Sequence, residues 1–453
     1  MSYDYHRGAI VNPDAPKGSL EAKRPFVDNG TDVVDPSRYY SREFMAQEWA
    51  HLWPRVWLIA GPRSDLDEPG DFFVFNVGAE SFIITLDDAG TVQAHYNVCP
   101  HRGNRVVLNE RGSQPKFTCS FHSWRFNLDG SLDGITDEES FRPEVLCPRP
   151  RLTTVRCEAY AGLIWINMDG NAPPLKEYIG LPPEYLEAYE LDKMHVVRHV
   201  SSEWAANWKT GVDAFYETYH LHAVHPQTAT VMDDLGTQYD LYPNGASRMI
   251  VPFFRKSPRV SDQETVDEGL QMMIRDAGAD PSSFDGTARD VRPFIQKHKR
   301  QSLAEAGFDV DRLTDGQLID SWATGIFPNV QIGLHPEGAF LMRFLPHPDD
   351  PERFFYDTIT LFRPSEDPNY RVPDWMGLPK DADLTGEDRP DTEHVPLGEA
   401  PQLGLVLDQD SELLPVVQKG VRSRGFRGPL WGEQESRVRH FHRELDRYLA
   451  GEK

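Results

Sequence analysis

Short runs of β-branched and aromatic side chains fill the chain from Val56 to Met168, and the spacing of apolar positions lengthens beyond residue 185. The runs Val56-Trp57-Leu58-Ile59-Ala60, Phe72-Phe73-Val74-Phe75, Phe82-Ile83-Ile84-Thr85-Leu86 and Leu163-Ile164-Trp165-Ile166 are separated by turn sequences such as Asp88-Ala89-Gly90 and Asp129-Gly130. That pattern predicts a compact all-β module. The Pro173-Pro174 and Pro182-Pro183 pairs mark a boundary near 170–185. Beyond it, helix-like segments (Glu203 to His225, Glu268 to Ala277, Pro293 to Ala306) are followed by long strands at Asn329–Leu334, Ala339–Leu345 and Phe354–Phe362, spaced as in an antiparallel meander. Residues 364–401 contain seven prolines and many acids and predict an irregular surface excursion, either a plain loop or a cover over a pocket. The expected division is a segment 1–45 packing on the second domain, a β module 46–170 and a second domain 185–453.

With 453 residues the chain exceeds the size one core usually serves, in line with two domains. No internal repeat stands out. A formal charge of -24 argues against binding nucleic acid or an anionic membrane, both of which need a basic face. The first residues, Met1 to Arg7, lack the apolar stretch of a signal peptide, and no run reaches the roughly twenty apolar residues of a membrane span. A cytoplasmic protein is expected, with Cys147 and Cys157 as free thiols.

The chemistry enters with two mixed boxes, Cys99-Pro100-His101-Arg102-Gly103 and Cys119-Ser120-Phe121-His122, seventeen residues apart. Two thiolates can take one iron and two imidazoles the other, the split ligand set of a Rieske [2Fe-2S] centre, which passes single electrons at a raised potential. The competing reading is a structural zinc site, whose boxes usually pair like with like.

A second constellation closes the helix-like segment Asn207 to Pro226, where Glu217, His220, His222 and His225 crowd together. Two imidazoles and a carboxylate on one face of Fe(II) leave other positions open for dioxygen. On an unbroken helix Glu217 and His220 share a face, as do His222 and His225, whereas His220 and His225 stand apart. The chain must bend between them if both bind, and spacing alone leaves the choice of histidines open. Asp192 with His195 and His199 offers a further acid and two histidines, but the alternation there fits a strand and favours structural roles.

In these motifs the chain resembles the Rieske non-haem iron oxygenases, the alpha (large, catalytic) subunits of aromatic ring-hydroxylating dioxygenases and of related monooxygenases and demethylases. The box CPHRG has the family form. The second box departs from the usual C-x-Y-H-G-W by carrying Phe121 for Tyr and Ser123 for Gly before Trp124, with all four ligands kept. The resemblance implies an α+β fold, an all-β Rieske domain and a helix-grip catalytic domain in which an antiparallel sheet surrounds helices. It implies one [2Fe-2S] cluster on Cys99, His101, Cys119 and His122 and one mononuclear Fe(II) per chain. The family pattern [DE]-x2-H-x4-H falls on Glu217, His220 and His225, making both histidines iron ligands and His222 a neighbour. Members commonly carry Asp at the acidic position and Asn three or four residues earlier, where this chain has Glu217, Ala214 and Asp213. Counting eight residues back from Gln418-Lys419-Gly420, as the family's Q-x-G element directs, gives Asp410 as third ligand. Asp408 competes, and capping a helix that begins near Ser411 is the ordinary role for either acid.

The resemblance further implies a terminal oxygenase: the cluster supplies electrons singly, and the mononuclear iron activates O2 beside a substrate bond. It implies a homotrimer, with or without beta subunits, in which Glu217 bridges His220 to His122 of the partner subunit. No G-x-G-x-x-G after a strand, G-x4-G-K-[ST] or ferredoxin-type cysteine cluster occurs, so a separate reductase, with or without a ferredoxin, must deliver electrons. Glu217 and Ala214 lean towards monooxygenation, including O- or N-demethylation, of an aromatic or otherwise hydrophobic substrate. A cis-dihydroxylating dioxygenase is the alternative, and a Rieske electron carrier without catalytic iron is the alternative of another class.

Overall fold

The computed structural model describes residue 15, residues 17–364, residue 378 and residues 382–453. The excursion at 364–401 therefore lies partly outside the described residues. The chain divides into two compact units, one comprising Trp49–Tyr178 with His347–Asp349, the other the residues up to Glu48, Ile179–Pro346 and Asp350–Lys453.

The smaller unit is built from short antiparallel strands: β1 (Leu58–Pro62), β2 (Asp71–Val77), β3 (Glu80–Leu86), β4 (Val92–Tyr96), β5 (Arg111–Ser113), β6 (Phe117–Thr118), β7 (Arg125–Phe126), β8 (Leu132–Gly134), β9 (Arg156–Tyr160) and β10 (Leu163–Asn167). They pair in the orders β4-β3-β2-β5, β1-β10-β9 and β6-β7-β8. Register follows the apolar pattern. Phe75 lies opposite Phe82 and their rings stack at 6.4 Å, a cross-strand pair of the kind that fixes strand alignment. One buried cluster joins Phe72, Ile83, Val106, Phe117, Trp124 and Leu152 with Cys99 and Cys119, so the cysteines belong to the core.

The larger unit carries an eight-stranded sheet of β11 (His195–Trp204), β12 (Gln238–Leu241), β13 (Ser247–Val251), β14 (Ser321–Ile326), β15 (Val330–Leu334), β16 (Gly338–Pro346), β17 (Phe354–Phe362) and β18 (Glu393–Val395), in the order β12-β13-β14-β15-β16-β17-β11-β18. The expected meander is β15-β16-β17, antiparallel throughout. His195 and His199 fall on β11, and His199 Nε2 donates to the Asp357 carboxylate of β17 at 3.1 Å, a structural pairing. Part of the expected excursion is a strand: β18 pairs parallel with β11, and the Arg198 guanidinium holds the Glu393 carboxylate at 2.9 and 3.0 Å. The α+β class holds.

Helix α1 (Trp208–Phe215) packs on β16 and β17 through Phe215, whose ring lies 5.4 Å from Phe344 and 5.2 Å from Tyr356. Gly211 permits this approach, since a Cβ there would stand 2.7 Å from Phe344 and 2.9 Å from Phe354. The helix expected from Glu203 starts only at Trp208. Glu203 and Trp204 are the end of β11, and the Asn207 side chain caps the helix by accepting from the Lys209 N–H at 2.9 Å. The remaining helices of importance are α2 (Leu221–Val224), α3 (Glu268–Asp276), α4 (Ala288–Glu305), α5 (Leu405–Val421) and α6 (Ser436–Leu449). Among the described residues no helix is long and apolar enough to cross a membrane.

Candidate metal centres

The two mixed boxes form two loops of the same design. In the first, the Cys99 N–H donates to the Asn104 carbonyl at 2.8 Å and the Gly103 N–H returns to the Cys99 carbonyl at 3.0 Å. In the second, the Cys119 N–H donates to the Trp124 carbonyl and the Ser123 N–H to the Cys119 carbonyl, both at 2.9 Å. Each loop turns on a left-handed residue at the fifth position, Gly103 at φ +76° and Ser123 at φ +56°. Glycine takes that conformation freely, whereas a serine carries strain there. Ser123 thus occupies a glycine's backbone position without glycine's freedom.

This geometry buries the cysteines and raises the histidines to the rim. Cys99 and Cys119 are 2% and 1% exposed, while the His101 and His122 rings approach to 4.5 Å between centroids at the outer end of the loops. His101 stacks on Trp124 at 4.8 Å and touches Phe141 edge-on. Its Nδ1 is buried without a hydrogen-bond partner, an orphan a metal bond would satisfy. The His122 Nε2 faces the Arg102 guanidinium, which also lies over the exposed Phe121 ring.

The sulfurs are prepared unequally. Burial pushes the Cys99 thiol up to about 11, against the N–H groups of His101 and Arg102. Burial works the same way on Cys119, but N–H donors of Phe121 and His122, the Asn104 amide and Cys99 outweigh it and lower that thiol. Two thiols and two imidazoles, backed by amide donors aimed at sulfur, fit a Rieske [2Fe-2S] cluster.

In the larger unit the break required between His220 and His225 is present. Helix α1 stops at Phe215, and the link is pinned by the Tyr216 hydroxyl donating to the Val330 carbonyl at 2.9 Å and by Thr218 Oγ1 meeting the Tyr239 hydroxyl at 2.6 Å. The short helix α2 then turns the chain so that His225 comes back towards His220, their rings 5.2 Å apart and steeply inclined. Helix α5 brings Asp410 to both: Oδ1 lies 3.1 Å from His225 Nε2 and 3.9 Å from His220 Nε2. One ligand atom from each of His220, His225 and Asp410 falls within 4.8 Å of the others, a spacing suited to a single metal ion. His222 turns outward, its Nδ1 on the Tyr219 carbonyl.

The far nitrogens of both rings are also engaged. Glu217 Oε1 accepts from His220 Nδ1 at 2.5 Å, and its other oxygen accepts from the His220 N–H at 3.0 Å. Burial disfavours charge on His220, but Glu217 and then Asp410 overcome this and raise its pKa. Gln409 Oε1 lies 2.7 Å from His225 Nδ1. Each imidazole thereby turns Nε2 towards Asp410 and a candidate metal position, an arrangement that could hold a mononuclear ion with open coordination sites.

Sequence reasoning missed Gln409, whose only signal was adjacency to Asp410. It also misplaced the start of α5, expected near Ser411. The helix begins at Leu405 after Gly404 at φ +97°, so Asp410 sits inside it and caps nothing, while Asp408 accepts from the Leu403 N–H at 3.1 Å in its first turn. Gln418 locks the arrangement. Its Oε1 accepts from the Asn207 N–H at 2.9 Å and its Nε2 donates to the Tyr39 carbonyl at 2.9 Å, tying α5 to the start of α1.

A cavity of about 240 Å³ opens beside Glu217, His220 and Asp410, lined mainly by apolar groups including Leu413, Val417 and Trp431. Asp213 stands on its wall, accepting from the Tyr39 hydroxyl at 2.6 Å and pairing with His442 at 3.0 Å. Glu435, also on the wall, is pushed up to about 7 by burial and by the negative charge of Glu217 and Asp213.

A β module with paired Cys/His loops, joined in one chain to a sheet domain with two histidines and an aspartate, defines a protein of two metal centres. The chain belongs to the ring hydroxylating alpha subunit (catalytic domain) family, matched over residues 191–451, and carries a Rieske [2Fe-2S] domain, matched over residues 56–150. It is similar to the carnitine monooxygenase oxygenase subunit of Escherichia coli (strain K12), 31% identical over 194 residues that cover 42% of this chain and 52% of that one. It is also similar to the biphenyl 2,3-dioxygenase subunit alpha of Rhodococcus jostii (strain RHA1), 29% identical over 201 residues, 43% and 44% of the two chains. The matched region thus spans about half the length of these relatives. A crystal structure of a quaternary ammonium Rieske monooxygenase in complex with L-carnitine shares the fold, with a TM-score of 0.64 at 20% identity over 93% of this chain and 97% of that one.

Proposed function

We propose that the protein is the terminal oxygenase component of a system that takes electrons from a separate reductase, with or without a ferredoxin, and uses O2 to hydroxylate a small organic substrate. The observation that carries this is the convergence of His220, His225 and Asp410 in a chain that also bears a Rieske domain. In this reading Cys99, Cys119, His101 and His122 hold the cluster, and His220, His225 and Asp410 hold Fe(II). The bound iron centres would supply single-electron transfer and O2 activation.

The residues of the chain do the rest. Glu217 fixes the His220 ring through Nδ1 and, in a head-to-tail homotrimer, reaches His122 of the partner subunit as the bridge between centres. Leu414, buried, with the more exposed Leu413 and Val417, gives the approach to His220 an apolar wall. Glu435, whose carboxyl is pushed up by burial and by the charges of Glu217 and Asp213, stands on the same wall. Small beta subunits are compatible with the reading. A cytoplasmic location belongs to the same reading.

Monooxygenation is favoured by the likeness to carnitine monooxygenase and by Glu217 at the acidic position, and quaternary ammonium compounds join aromatic and other hydrophobic molecules as candidate substrates. Cis-dihydroxylation is the second reading, supported by the likeness to biphenyl 2,3-dioxygenase. The test is O2 uptake and product analysis with an artificial electron donor and a panel of carnitine, glycine betaine, aryl ethers and aromatic hydrocarbons. Substrate-dependent O2 uptake with one oxygen atom in the product supports monooxygenation, and a cis-diol supports the second reading. No stimulation by any compound, in protein loaded at both centres, would count against an oxygenase acting on these classes.

A further inference from the structure

We infer that Gln409 is a positioning residue for the mononuclear centre, holding His225 in the tautomer and orientation that present Nε2 to the metal. The inference rests on the reading of His220, His225 and Asp410 as ligands.

Consecutive residues of α5 straddle one imidazole: Asp410 Oδ1 lies 3.1 Å from His225 Nε2, and Gln409 Oε1 lies 2.7 Å from His225 Nδ1. The His225 side chain is fully buried, so neither nitrogen can turn to water for a partner. A metal can bond only a nitrogen without a proton, which places the proton on Nδ1 and requires an acceptor there. The amide oxygen of Gln409 meets that need. Its orientation is itself fixed, because Gln227, two residues beyond His225, donates its Nε2 to the same Gln409 oxygen at 2.8 Å.

The two imidazoles are therefore supported differently. His220 leans on a carboxylate, Glu217, while His225 leans on a neutral amide. A carboxylate draws the Nδ1 proton and makes the ring a stronger donor to metal, whereas an amide orients the ring with little gain in basicity. Gln409 fixes geometry at one ligand without adding a second negative charge beside Asp410. No other side chain in the described structure accepts from His225 Nδ1.

The test is Co(II) binding to protein with its cluster intact and the mononuclear metal removed, followed by the visible ligand-field bands of Co(II), in wild type, Gln409→Leu and Gln409→Glu. We expect Gln409→Leu to weaken Co(II) binding by about 10- to 100-fold and to alter the bands, with the cluster's absorbance and the circular dichroism unchanged. Gln409→Glu keeps the acceptor and should restore tight binding with shifted bands. Wild-type affinity and bands in Gln409→Leu would overturn the role of Gln409 alone. Failure of wild type to bind Co(II) beyond the cluster would remove the ligand reading and this inference with it.

Discussion

The two candidate metal centres are assembled in opposite ways. At the first, the four side chains come from two six-residue loops, each closed by its own backbone hydrogen bonds, with cysteines in the core and histidines at the rim. At the second, His220 and His225 flank a broken helix, and the third residue, Asp410, arrives from a helix 185 positions further along. A local centre depends on turn geometry. A non-local one depends on everything that docks α5 against α1, above all Gln418 between the Asn207 N–H and the Tyr39 carbonyl. The first should therefore tolerate changes in the larger unit, and the second should not.

The largest expected effect separates the two completely. Asp410→Ala should lose the mononuclear metal and lower product formation more than about a hundredfold, beyond the cost of losing a supporting partner. The reduced cluster's paramagnetic signal should persist, as metal analysis with electron paramagnetic resonance will check. Loss of both signals together would break the contrast. Glu217→Gln is the next step down: both centres should stay loaded while substrate-dependent turnover drops about 10- to 100-fold, read as slow reoxidation of the reduced cluster in single-turnover mixing. Normal reoxidation would remove Glu217 as a bridge.

Acid should sharpen the difference. Burial, and then Lys299, depresses the pKa of His335 in the larger unit to about 3. The unfolded chain takes up a proton on this ring below about pH 6.5 while the folded one stays neutral, so stability should fall as pH drops from there towards 3, by up to roughly 1.4 kcal/mol per unit. Urea unfolding at pH 7 and pH 5 checks this, and His335→Phe should flatten the slope. The smallest effect belongs to the cluster loops. Ser123→Gly should relieve left-handed strain and stabilise the smaller unit by about 0.5–1 kcal/mol, seen as a modest rise in melting temperature with the larger unit unchanged.

The same contrast governs what could be read from the sequence. Cys99, His101, Cys119 and His122 stand out as candidate ligands because the pattern that marks them is local, and the strands around them followed from short runs such as Phe82–Leu86. The crowding of Glu217, His220 and His225 was visible too, along with the need for a bend, but spacing could not choose among the histidines. Family resemblance pointed to Asp410. The start of α5 was misread because Gly404 and Asp408, not the residues near Ser411, open the helix. Gln409 and the Tyr39, Asp213 and His442 contacts stayed hidden, since their partners lie 174 to 229 positions away on other elements.

The most direct measurement is the iron and acid-labile sulfide content of the purified protein. Two centres in one chain require about three irons to about two sulfides, with one iron removable by a mild chelator while the cluster signal stays. About two irons to two sulfides after anaerobic reconstitution with excess Fe(II) would contradict a mononuclear centre at His220, His225 and Asp410.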